Sequence, residues 1–327
     1  MIGYYVHHHG HGHRHRATAV ARCLDVPVTG LSSVPRPADW PGDWVELPRD
    51  DAGGAVEPTA GGTLHWAPEH DDGLSERMAA VSAWIERTRP SLLVCDVSVE
   101  VALLARLHGV PVVTMVLPGV RDDVPHRTVH ALARRVVAAW PEHVPGMTAG
   151  LDGVGDRMVH VGAISRFDGR EPAPRTDRRP HVVVLGGTGG DADTATLVSA
   201  RESVPDWRWT VLDGSAGTWD DDPWALLCTA DVVVTHAGQN AVAEVAAARV
   251  PAVVVPQPRP HEEQAWTARA LVAGGWPVVA LEDRLGHHWP DVLDVVRRLP
   301  TERWSAWNDG GGARRLAALI EDEAAAR

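Results

Sequence analysis

A cluster of histidines near the amino terminus contains side chains that can bind metal, take up protons or contact phosphate. The stretch YYVHHHGHGHRHRATAVARCL covers residues 4–24, and histidine occupies six of the nine positions from 7 to 15. An apolar run from Ile2 to Val6 precedes the cluster, and small or apolar residues at helical spacing follow it. A loop between a buried strand and a helix is where α/β proteins place ligand contacts. We therefore interpret these histidines as part of a functional strand–loop–helix unit and not as a tag.

The composition excludes several kinds of chemistry. The chain has 327 residues and a formal net charge of −12, and its 31 basic side chains are all arginines. Without lysine there is no P-loop lysine, no Schiff base and no lysine general base. The negative net charge argues against nucleic acid as a partner and allows at most a peripheral contact with anionic membranes.

Cysteine usage and hydropathy indicate where the protein works. Cys23, Cys95 and Cys228 lie far apart in apolar stretches, which is typical of buried free thiols in a reducing compartment. No apolar run approaches the roughly 18–20 residues of a membrane-spanning helix, and the first residues lack a signal-peptide pattern. We expect a cytoplasmic protein.

Strand and helix patterns alternate along the chain, which predicts parallel sheets with helices on both faces. The proline-rich and charged segment 166–180 is interpreted as an interdomain linker. The predicted fold class is α/β, with two Rossmann-like doubly wound domains that face a cleft. The domains would be 1–165 and 181–327, and the last helix could pack back on the first domain.

Two segments of the first domain could shape a pocket. Residues 34–73 are rich in Pro, Gly and Asp and predict a long irregular excursion. HRTVHALARRVVAAWP, residues 126–141, predicts a single helix. Such a helix could approach a lipid, although a solvated face is the simpler interpretation.

The stretch ADVVVTHAGQNAVAEVAAARVPAVVVPQPRPHEEQ, residues 230–264, contains a candidate phosphate site. A buried strand ends at Thr235, small residues let the backbone approach a ligand, and a helix is predicted to follow. The free N–H groups and the dipole of a helix start favour phosphate without any lysine. The residues predicted to meet the phosphate are His236, Gly238, Gln239 and Asn240.

A second candidate phosphate loop is VVVLGGTGGDADTAT, residues 182–196, where Gly187 and Thr188 follow a buried strand. A glycine-rich turn is weak by itself and gains weight beside the first motif. Asp191 and Asp193 form a D-x-D pattern, which we interpret as a helix cap and not as a metal site.

Together these motifs resemble the donor-nucleotide half of GT-B glycosyltransferases, in particular the C-terminal domain of family 28. The resemblance implies transfer of a sugar from a nucleotide-diphosphate donor, a UDP-sugar by expectation, to an acceptor hydroxyl without a metal or another cofactor. The acceptor would be a small molecule, a glycan or a lipid-linked compound. The 181–327 domain would bind the donor and the 1–165 domain the acceptor.

The same resemblance assigns roles to individual residues. The matching pieces are THAGQN, Glu244, the VPAVVVPQ that ends at Gln257, and the EEQ that ends at Gln264. The resemblance implies that Glu244 accepts hydrogen bonds from the ribose, and that Glu263 and Gln264 hold hydroxyls of the donor sugar. GTWDDDPWALLCTAD resembles the segment that receives the nucleobase, where Trp219 could stack on the base or lie in the core.

The amino-terminal motif also fits this family, in which a glycine-rich loop ends in Gly-His before a helix. Gly12 and His13 fall at that place, so the resemblance implies that Gly12 contacts the donor and that His13 removes the acceptor proton, with inversion of configuration. Asp96, at the end of the apolar strand LLVCD, could orient His13 as an acid orients the histidine of a Ser-His-Asp arrangement. Alternatively, Asp96 could cap the next helix.

Two other functions stay open at this point. GHGHRHR, from Gly10 to Arg16, also spells G-x-G-H-x-x-R and is similar to nucleotide-sugar hydrolases of the same fold. There the histidine activates water, and Arg16 would help position the sugar or the diphosphate. The third hypothesis is a metal-binding or nucleotide-sensing protein that uses the several imidazoles between His7 and His15.

Overall fold

A computed structural model describes residues 1–8, 11–51, 54–174, 179–186, 200–212, 214, 217–281 and 288–326. Contacts divide the chain into two compact units. The first unit contains Met1–Ala139, Thr148–Val161 and Gly311–Arg327, and the second contains Trp140–Met147 and Gly162–Gly310. Each unit holds a parallel sheet with helices, as the sequence predicts for this α/β chain.

The first unit is built from short strands and the helices that connect them. The strands are β1 (Ile2–Val6), β2 (Val28–Ser32), β3 (Asp43–Glu46), β4 (Leu92–Asp96), β5 (Val112–Val116), β6 (Gly119–Val120), β7 (Arg135–Ala138), β8 (Thr148–Ala149) and β9 (Met158–His160). The helices are α1 (His11–Ala21), α2 (Asp72–Thr88), α3 (Val99–Leu107) and α4 (Val124–Leu132). The main sheet has the parallel order β3-β2-β1-β4-β5-β7-β9, and β6 pairs with β8.

The second unit repeats this plan with a smaller sheet. Its strands are β10 (His181–Leu185), β11 (Arg208–Leu212), β12 (Val232–Thr235), β13 (Ala252–Val254) and β14 (Val278–Ala280), in the order β11-β10-β12-β13-β14. Its helices include α5 (Trp224–Thr229), α6 (Gln239–Ala248), α7 (Glu263–Ala273), α8 (Trp289–Val296) and α9 (Trp304–Trp307). The last helix, α10 (Gly312–Ala325), belongs to the first unit.

The central strands of the first sheet are apolar along their whole length because both of their faces are covered. Every residue of β1, β4 and β5 is buried. Gly3 in β1 leaves room for the ring of Trp84 in α2, since a Cβ at Gly3 would lie 2.5 Å from that ring. This close packing fixes α2 against the middle of the sheet.

The pairing of β1 with β4 places the candidate catalytic residues. The two strands are parallel neighbours, and Val6 at the end of β1 lies opposite Asp96 at the end of β4. The helix α1 begins shortly after β1, so its first turn lies at the same carboxyl edge as Asp96. Ligand contacts of parallel sheets gather at that edge.

The helix α10 packs against α1 and β4 of the first unit. The carboxylate of Glu321 accepts a hydrogen bond from the backbone N–H of Asp25 at 2.6 Å, just beyond the end of α1. Glu323 pairs with Arg135 of β7 at 2.5 Å. Leu316 and Ile320 are fully buried, so the apolar face of α10 completes the core beneath α1.

The prediction of one helix over residues 126–141 is wrong. The helix α4 ends at Leu132, and the chain then enters β7, which lies between β5 and β9. The β-branched Val136 and Val137 are fully buried in the sheet, which explains the change from helix to strand. The helical part of this segment is therefore limited to α4.

The segment 34–73 is also more ordered than predicted. It contains β3, which pairs with β2 at the edge of the sheet, and it buries Trp40 and Leu47. Tryptophan dominates this edge, since the ring of Trp44 lies against Gly30 and against Trp40. The excursion thus extends the sheet and covers its edge.

The structure can be compared with the expectations about membrane-spanning helices and free thiols. Across the described residues, no helix has both the length and the apolar character that spanning a bilayer requires. The three cysteines are free thiols, but only Cys95 is buried, whereas Cys23 and Cys228 are partly exposed, contrary to the expectation. Burial raises the pKa of the Cys95 thiol.

Candidate active site

His13, Asp96 and Arg16 form a buried cluster at the carboxyl edge of the first sheet. The His13 Nδ1 atom lies 3.2 Å from Asp96 Oδ1, as the sequence-based pairing predicts. The guanidinium of Arg16 binds the same carboxylate twice, at 2.6 Å from Nη2 to Oδ1 and at 3.3 Å from Nε to Oδ2. Asp96 is fully buried, whereas the His13 side chain is 18% exposed and so remains accessible to a substrate.

The charges around Asp96 keep it ionised. Burial by itself would raise the pKa of Asp96, but the positive charge of Arg16, followed by the interaction with His13, lowers it below the ordinary carboxyl value. The alternative role as a helix cap does not apply, because Ser98 caps α3 by accepting a hydrogen bond from the N–H of Val101. The carboxylate is therefore committed to the two side chains of α1.

The residue after Asp96 has a strained backbone. Val97 has a φ of 59°, a left-handed conformation that β-branched residues rarely adopt. Such a conformation costs on the order of 1–3 kcal/mol and persists where the surroundings enforce it, often at functional sites. Here the turn joins a carboxylate that faces α1 to a helix that starts two residues later.

The amino-terminal motif differs in detail from its prediction. The helix α1 begins at His11, so Gly12 and His13 lie in its first turn instead of in a preceding loop. An extended loop that gathers alternating imidazoles on one side is therefore absent from residues 11–16. Arg16 is 2% exposed and is held by Asp96, which contradicts the proposed contact of its guanidinium with a sugar or diphosphate.

A cavity of about 280 Å³ opens within the first unit at the ends of its strands. Arg77 is buried at its wall and donates to Tyr5 Oη at 2.7 Å and to Ser33 Oγ at 2.5 Å. Its lining also includes His7, which follows β1 and whose ring lies 5.7 Å from the ring of His13. The remaining lining residues are His8, Asp50, Asp51, His65, Trp66, Leu74, Met78, Val97, Ser98, Glu100 and Val101. The cavity thus combines apolar side chains with hydrogen-bonding groups beside the candidate base.

His65, Asp123 and His126 also lie together, with their potential ligand atoms within 4.8 Å of one another. Asp123 Oδ1 accepts from the backbone N–H of His126 and lies 2.8 Å from its Nδ1, so it caps α4. The Arg121 Nη1 atom lies 3.3 Å from His126 Nε2, which gives both ring nitrogens a partner. Burial and the charge of Arg121 lower the pKa of His126 to about 3, so its ring is neutral. These hydrogen bonds explain why the three side chains lie together, because Asp123 caps the start of α4.

In the second unit, the predicted helix start follows β12. The helix α6 begins at Gln239 after Gly238, which supplies no side-chain hydrogen bond to the first turn. Gly238 lies against the His236 ring, since a Cβ there would be 3.1 Å from His236 Nδ1. Asn240 is the second residue of α6 and is partly exposed. The N–H groups of this first turn are the ones that helices offer to anions.

Three predicted donor residues form one hydrogen-bonded chain beside this helix start. The Gln257 backbone N–H donates to Gln264 Oε1 at 2.8 Å, which turns the Gln264 amide nitrogen toward His236 Nδ1 at 3.4 Å. With Nδ1 accepting, the proton of a neutral His236 ring is on Nε2, where it can donate to a ligand.

The turn that carries Glu263 and Gln264 is strained. His261 and Glu262 have φ values of 60° and 55°, so two consecutive residues adopt the left-handed conformation before α7 begins. Gln264 is 4% exposed, and Glu263 is partly exposed at the first position of α7. The turn brings the Gln264 side chain to the backbone N–H of Gln257 at the cost of an unfavourable backbone.

Glu244 is buried in α6 and pairs with Arg166. The Arg166 Nε atom donates to Glu244 Oε1 at 2.8 Å, and its Nη1 donates to the carbonyl of Asp221 at 2.6 Å. The Asp221 carboxylate accepts from Trp219 Nε1 at 2.9 Å. Arg166 therefore links the predicted ribose residue, Glu244, to the segment of the predicted nucleobase residue, Trp219.

Arg166 is the site residue that the sequence analysis missed, because it was assigned to the linker. Phe167 beside it is 3% exposed, and the guanidinium of Arg166 lies 4.6 Å from the centre of its ring. A basic residue next to an aromatic one, at the start of a proline-rich segment, was the available signal. Gly187, Thr188, Asp191 and Asp193 lie outside the described residues.

Residues 216–297 match the model of the glycosyltransferase family 28 C-terminal domain. This part of the chain is a family 28 domain. The match contains α6, α7 and the residues Trp219, His236, Glu244, Gln257 and Gln264, so the resemblance drawn from the THAGQN and EEQ motifs is confirmed. Arg166 lies outside the family 28 match and contacts it through Glu244.

Curated transferases are similar to this chain over half of its length or more. The chain is 29% identical over 200 residues to a UDP-N-acetylglucosamine–N-acetylmuramyl-(pentapeptide) pyrophosphoryl-undecaprenol N-acetylglucosamine transferase of Pseudomonas paraeruginosa, with 53% of this chain and 54% of that protein covered. It is 28% identical over 256 residues to the transferase of that name from Clavibacter sepedonicus, with 69% and 68% covered. The chain spans about half the length of the Pseudomonas relative.

Solved structures share the fold over nearly the whole chain. The glycotransferase of kitacinnamycin gives a TM-score of 0.71 at 18% identity, with 98% of each chain covered. MurG of Acinetobacter baumannii gives 0.63 at 16% identity, with 98% of this chain and 99% of that chain covered. The spinosyn rhamnosyltransferase SpnG complexed with thymidine diphosphate gives 0.65 at 17%, with 98% and 99% covered. The fold is GT-B, as predicted.

The Glu244–Arg166 pair predicts a pH-dependent stability for one variant. Burial raises the pKa of Glu244, and Arg166 opposes that rise. In Arg166→Gln the pKa rises further, so the folded state keeps a proton that the unfolded state releases. The loss of unfolding free energy should reach about 3–5 kcal/mol at pH 8 and shrink as the pH falls toward the ordinary carboxyl range. Chemical denaturation at pH 8 and pH 5.5 measures both values.

Arg170→Gln is the matched control. Arg170 also lies over the Phe167 ring, but its carboxylate partner is the exposed Asp222. We expect it to lose less than about 1 kcal/mol at either pH. Equal losses in Arg166→Gln at both pH values would show that the buried charge of Glu244 is not what Arg166 stabilises.

Proposed function

We propose that this protein is an inverting glycosyltransferase that moves a sugar from a UDP-sugar to an acceptor hydroxyl. The observation that carries the proposal is the assembly of His236, Gln264 and Glu244 around α6, within a family 28 domain. UDP is chosen because the names of the curated relatives contain UDP-N-acetylglucosamine. Thymidine diphosphate is the principal competitor, since it is bound in the SpnG structure.

The donor diphosphate binds at the start of α6. The N–H groups of its first turn and the helix dipole stabilise the negative charge, and His236 donates from Nε2. No lysine is needed there. Glu244 accepts from the ribose hydroxyls while Arg166 holds one of its oxygens, and Glu263 and Gln264 bind the sugar hydroxyls.

His13 acts as the general base. Asp96 accepts a hydrogen bond from Nδ1–H, which leaves the lone pair of Nε2 to take the proton of the acceptor hydroxyl. The acceptor oxygen then forms a bond with the anomeric carbon while the bond from that carbon to the diphosphate oxygen breaks. Attack opposite the leaving group inverts the configuration, and the start of α6 stabilises the charge that develops on the diphosphate.

The cavity beside His7 is the proposed place of the acceptor. Its apolar residues suit an organic body, and His7 lies next to His13. Names of similar proteins include both a pyrophosphoryl-undecaprenol acceptor and a spinosyn aglycone. The acceptor here is therefore proposed only as a hydroxyl compound.

Glu244→Gln tests the donor site. The loss of charge-assisted hydrogen bonds to the ribose should weaken nucleoside diphosphate binding by about tenfold to a hundredfold. Calorimetric titration with UDP, TDP and GDP measures the Kd values, and the exposed Glu302→Gln is the control that should leave them unchanged. An unchanged Kd in Glu244→Gln would remove the ribose contact from the proposal.

His13→Asn tests the base. It should lower kcat by about a hundredfold to ten-thousandfold, because a general base typically contributes that much. The Kd for the nucleoside diphosphate should stay constant, since the proposed donor residues His236, Glu244 and Gln264 belong to the other unit. His15→Asn, two residues away on α1, should keep most of the turnover. Comparable kcat values in the two variants would exclude His13 as the base.

Product analysis separates transfer from hydrolysis. Incubation of the UDP-sugar alone should leave the donor largely intact, and addition of a panel of aromatic, glycan and lipid-linked alcohols should yield a glycoside with inverted anomeric configuration. Proton NMR of the anomeric signal reads both outcomes. Rapid release of free sugar without an acceptor would indicate a hydrolase, and retained configuration would exclude single displacement.

A further inference from the structure

Arg16 is a second charged group at the candidate base. It lies three residues after His13 on α1, so both side chains project from one face of the helix. Its Nη2 atom lies 2.6 Å from Asp96 Oδ1 and 3.1 Å from His13 Nδ1, and the latter two atoms are 3.2 Å apart. The guanidinium is 2% exposed. The guanidinium of Arg16, the carboxylate of Asp96 and the imidazole of His13 therefore all contact one another.

This arrangement changes what Asp96 can do. A buried carboxylate next to an imidazole, without another partner, stabilises the imidazolium form. Arginine stays charged when buried, so Arg16 cancels the field of Asp96 at the ring. With its proton on Nδ1, His13 donates to Asp96, and Arg16 then faces Nδ1 as a charge and not as a hydrogen-bond donor. Asp96 thus fixes the ring without drawing a second proton onto Nε2.

We propose that Arg16 is a positioning residue that keeps His13 in its neutral, proton-accepting form by neutralising Asp96. This inference rests on the proposed function only in naming His13 as the base. It replaces the interpretation of Arg16 as a sugar or diphosphate ligand, because the guanidinium is buried and bound to Asp96. It also explains the H-x-x-R spacing, because His13 and Arg16 contact the same carboxylate, that of Asp96.

Charged and titratable groups from three elements of the described chain lie against His13. Asp96 projects from the end of β4, Arg16 from α1, and His7 follows β1 with its ring 5.7 Å from that of His13. His7 is present in every variant below. Its contribution therefore cancels when the variants are compared.

Four variants separate the charge of Arg16 from its packing: Arg16→Gln, Arg16→Lys, Asp96→Asn and the double variant Arg16→Gln/Asp96→Asn. Proton NMR titration of the histidine C2–H signals gives the pH at which His13 takes up its proton. The His13→Asn spectrum identifies its signal among the 18 histidines. Relative to wild type, we expect Arg16→Gln to move the midpoint up by about one pH unit and Asp96→Asn to move it down. The double variant and Arg16→Lys should stay near the wild-type value.

A loss of folding in Arg16→Gln, seen as a lost thermal transition, leaves the comparison of Asp96→Asn with the double variant. These two differ only at Arg16, and their midpoints should differ by about one pH unit. Identical midpoints would overturn the proposal, because Arg16 would then act through packing alone. An unmoved midpoint in a folded Arg16→Gln would overturn it as well.

The NMR midpoint does not depend on turnover, so it tests the electrostatic role of Arg16 separately from the proposed transferase function. If the midpoints shift as expected but no donor or acceptor is turned over, the electrostatic role of Arg16 stands and the proposed function fails. If turnover is found, the acid limb of the kcat/KM profile should move with the NMR midpoint in each variant. A fixed acid limb together with a moving midpoint would show that His13 is not the base that Arg16 controls.

Discussion

The fully buried carboxylate of Asp96 is the constraint on which the first unit depends. Ionised groups in a protein interior need partners, and leaving one unpaired costs several kcal/mol. The sheet places Asp96 opposite Val6, at the point where the chain leaves β1 for α1. The partners therefore have to come from the first turns of α1, and His13 and Arg16 provide them. One carboxylate thus holds two side chains of α1 at the carboxyl end of the sheet.

The second unit also contains a buried carboxylate that pairs with an arginine, but there the pKa of the carboxylate shifts in the opposite direction. Glu244 and Asp96 are both buried and both bind an arginine, yet the pKa of Glu244 is raised and that of Asp96 is lowered. The difference follows from the number of partners. Asp96 receives two guanidinium contacts and the His13 ring, whereas one guanidinium nitrogen binds Glu244. A less compensated carboxylate retains capacity for additional hydrogen bonds, which is the property a ribose-binding acid requires.

Local patterns predicted much of this structure. The apolar runs gave the central strands, and the glycine after DVVVTHA marked the start of α6 at Gln239. The errors arose where local and long-range preferences disagree. Residues 126–141 are mixed apolar and basic at helical spacing, but the neighbouring strands β5 and β9 take Val136 and Val137 into the sheet. Tertiary pairing decided the outcome there.

Ion-pair partners far apart in sequence could not be predicted either. Arg16 lies 80 residues from Asp96, and Arg166 lies 78 residues from Glu244. A single sequence gives the type of each side chain but not its distant partner. The motif G-x-G-H-x-x-R drew attention to His13 and Arg16 but did not show that Arg16 binds Asp96, because a surface arginine and a buried one look the same in sequence.

The chain contains no lysine, and both Asp96 and Glu244 pair with an arginine. The single ammonium group of a lysine cannot bind both oxygens of a carboxylate in one plane. Arginine keeps its charge in the interior and presents several donors in a fixed geometry. Both site carboxylates are bound to such cations, so their surroundings hold a constant positive charge across the physiological pH range. His13 and His236 are the imidazoles that the two units place at their candidate sites.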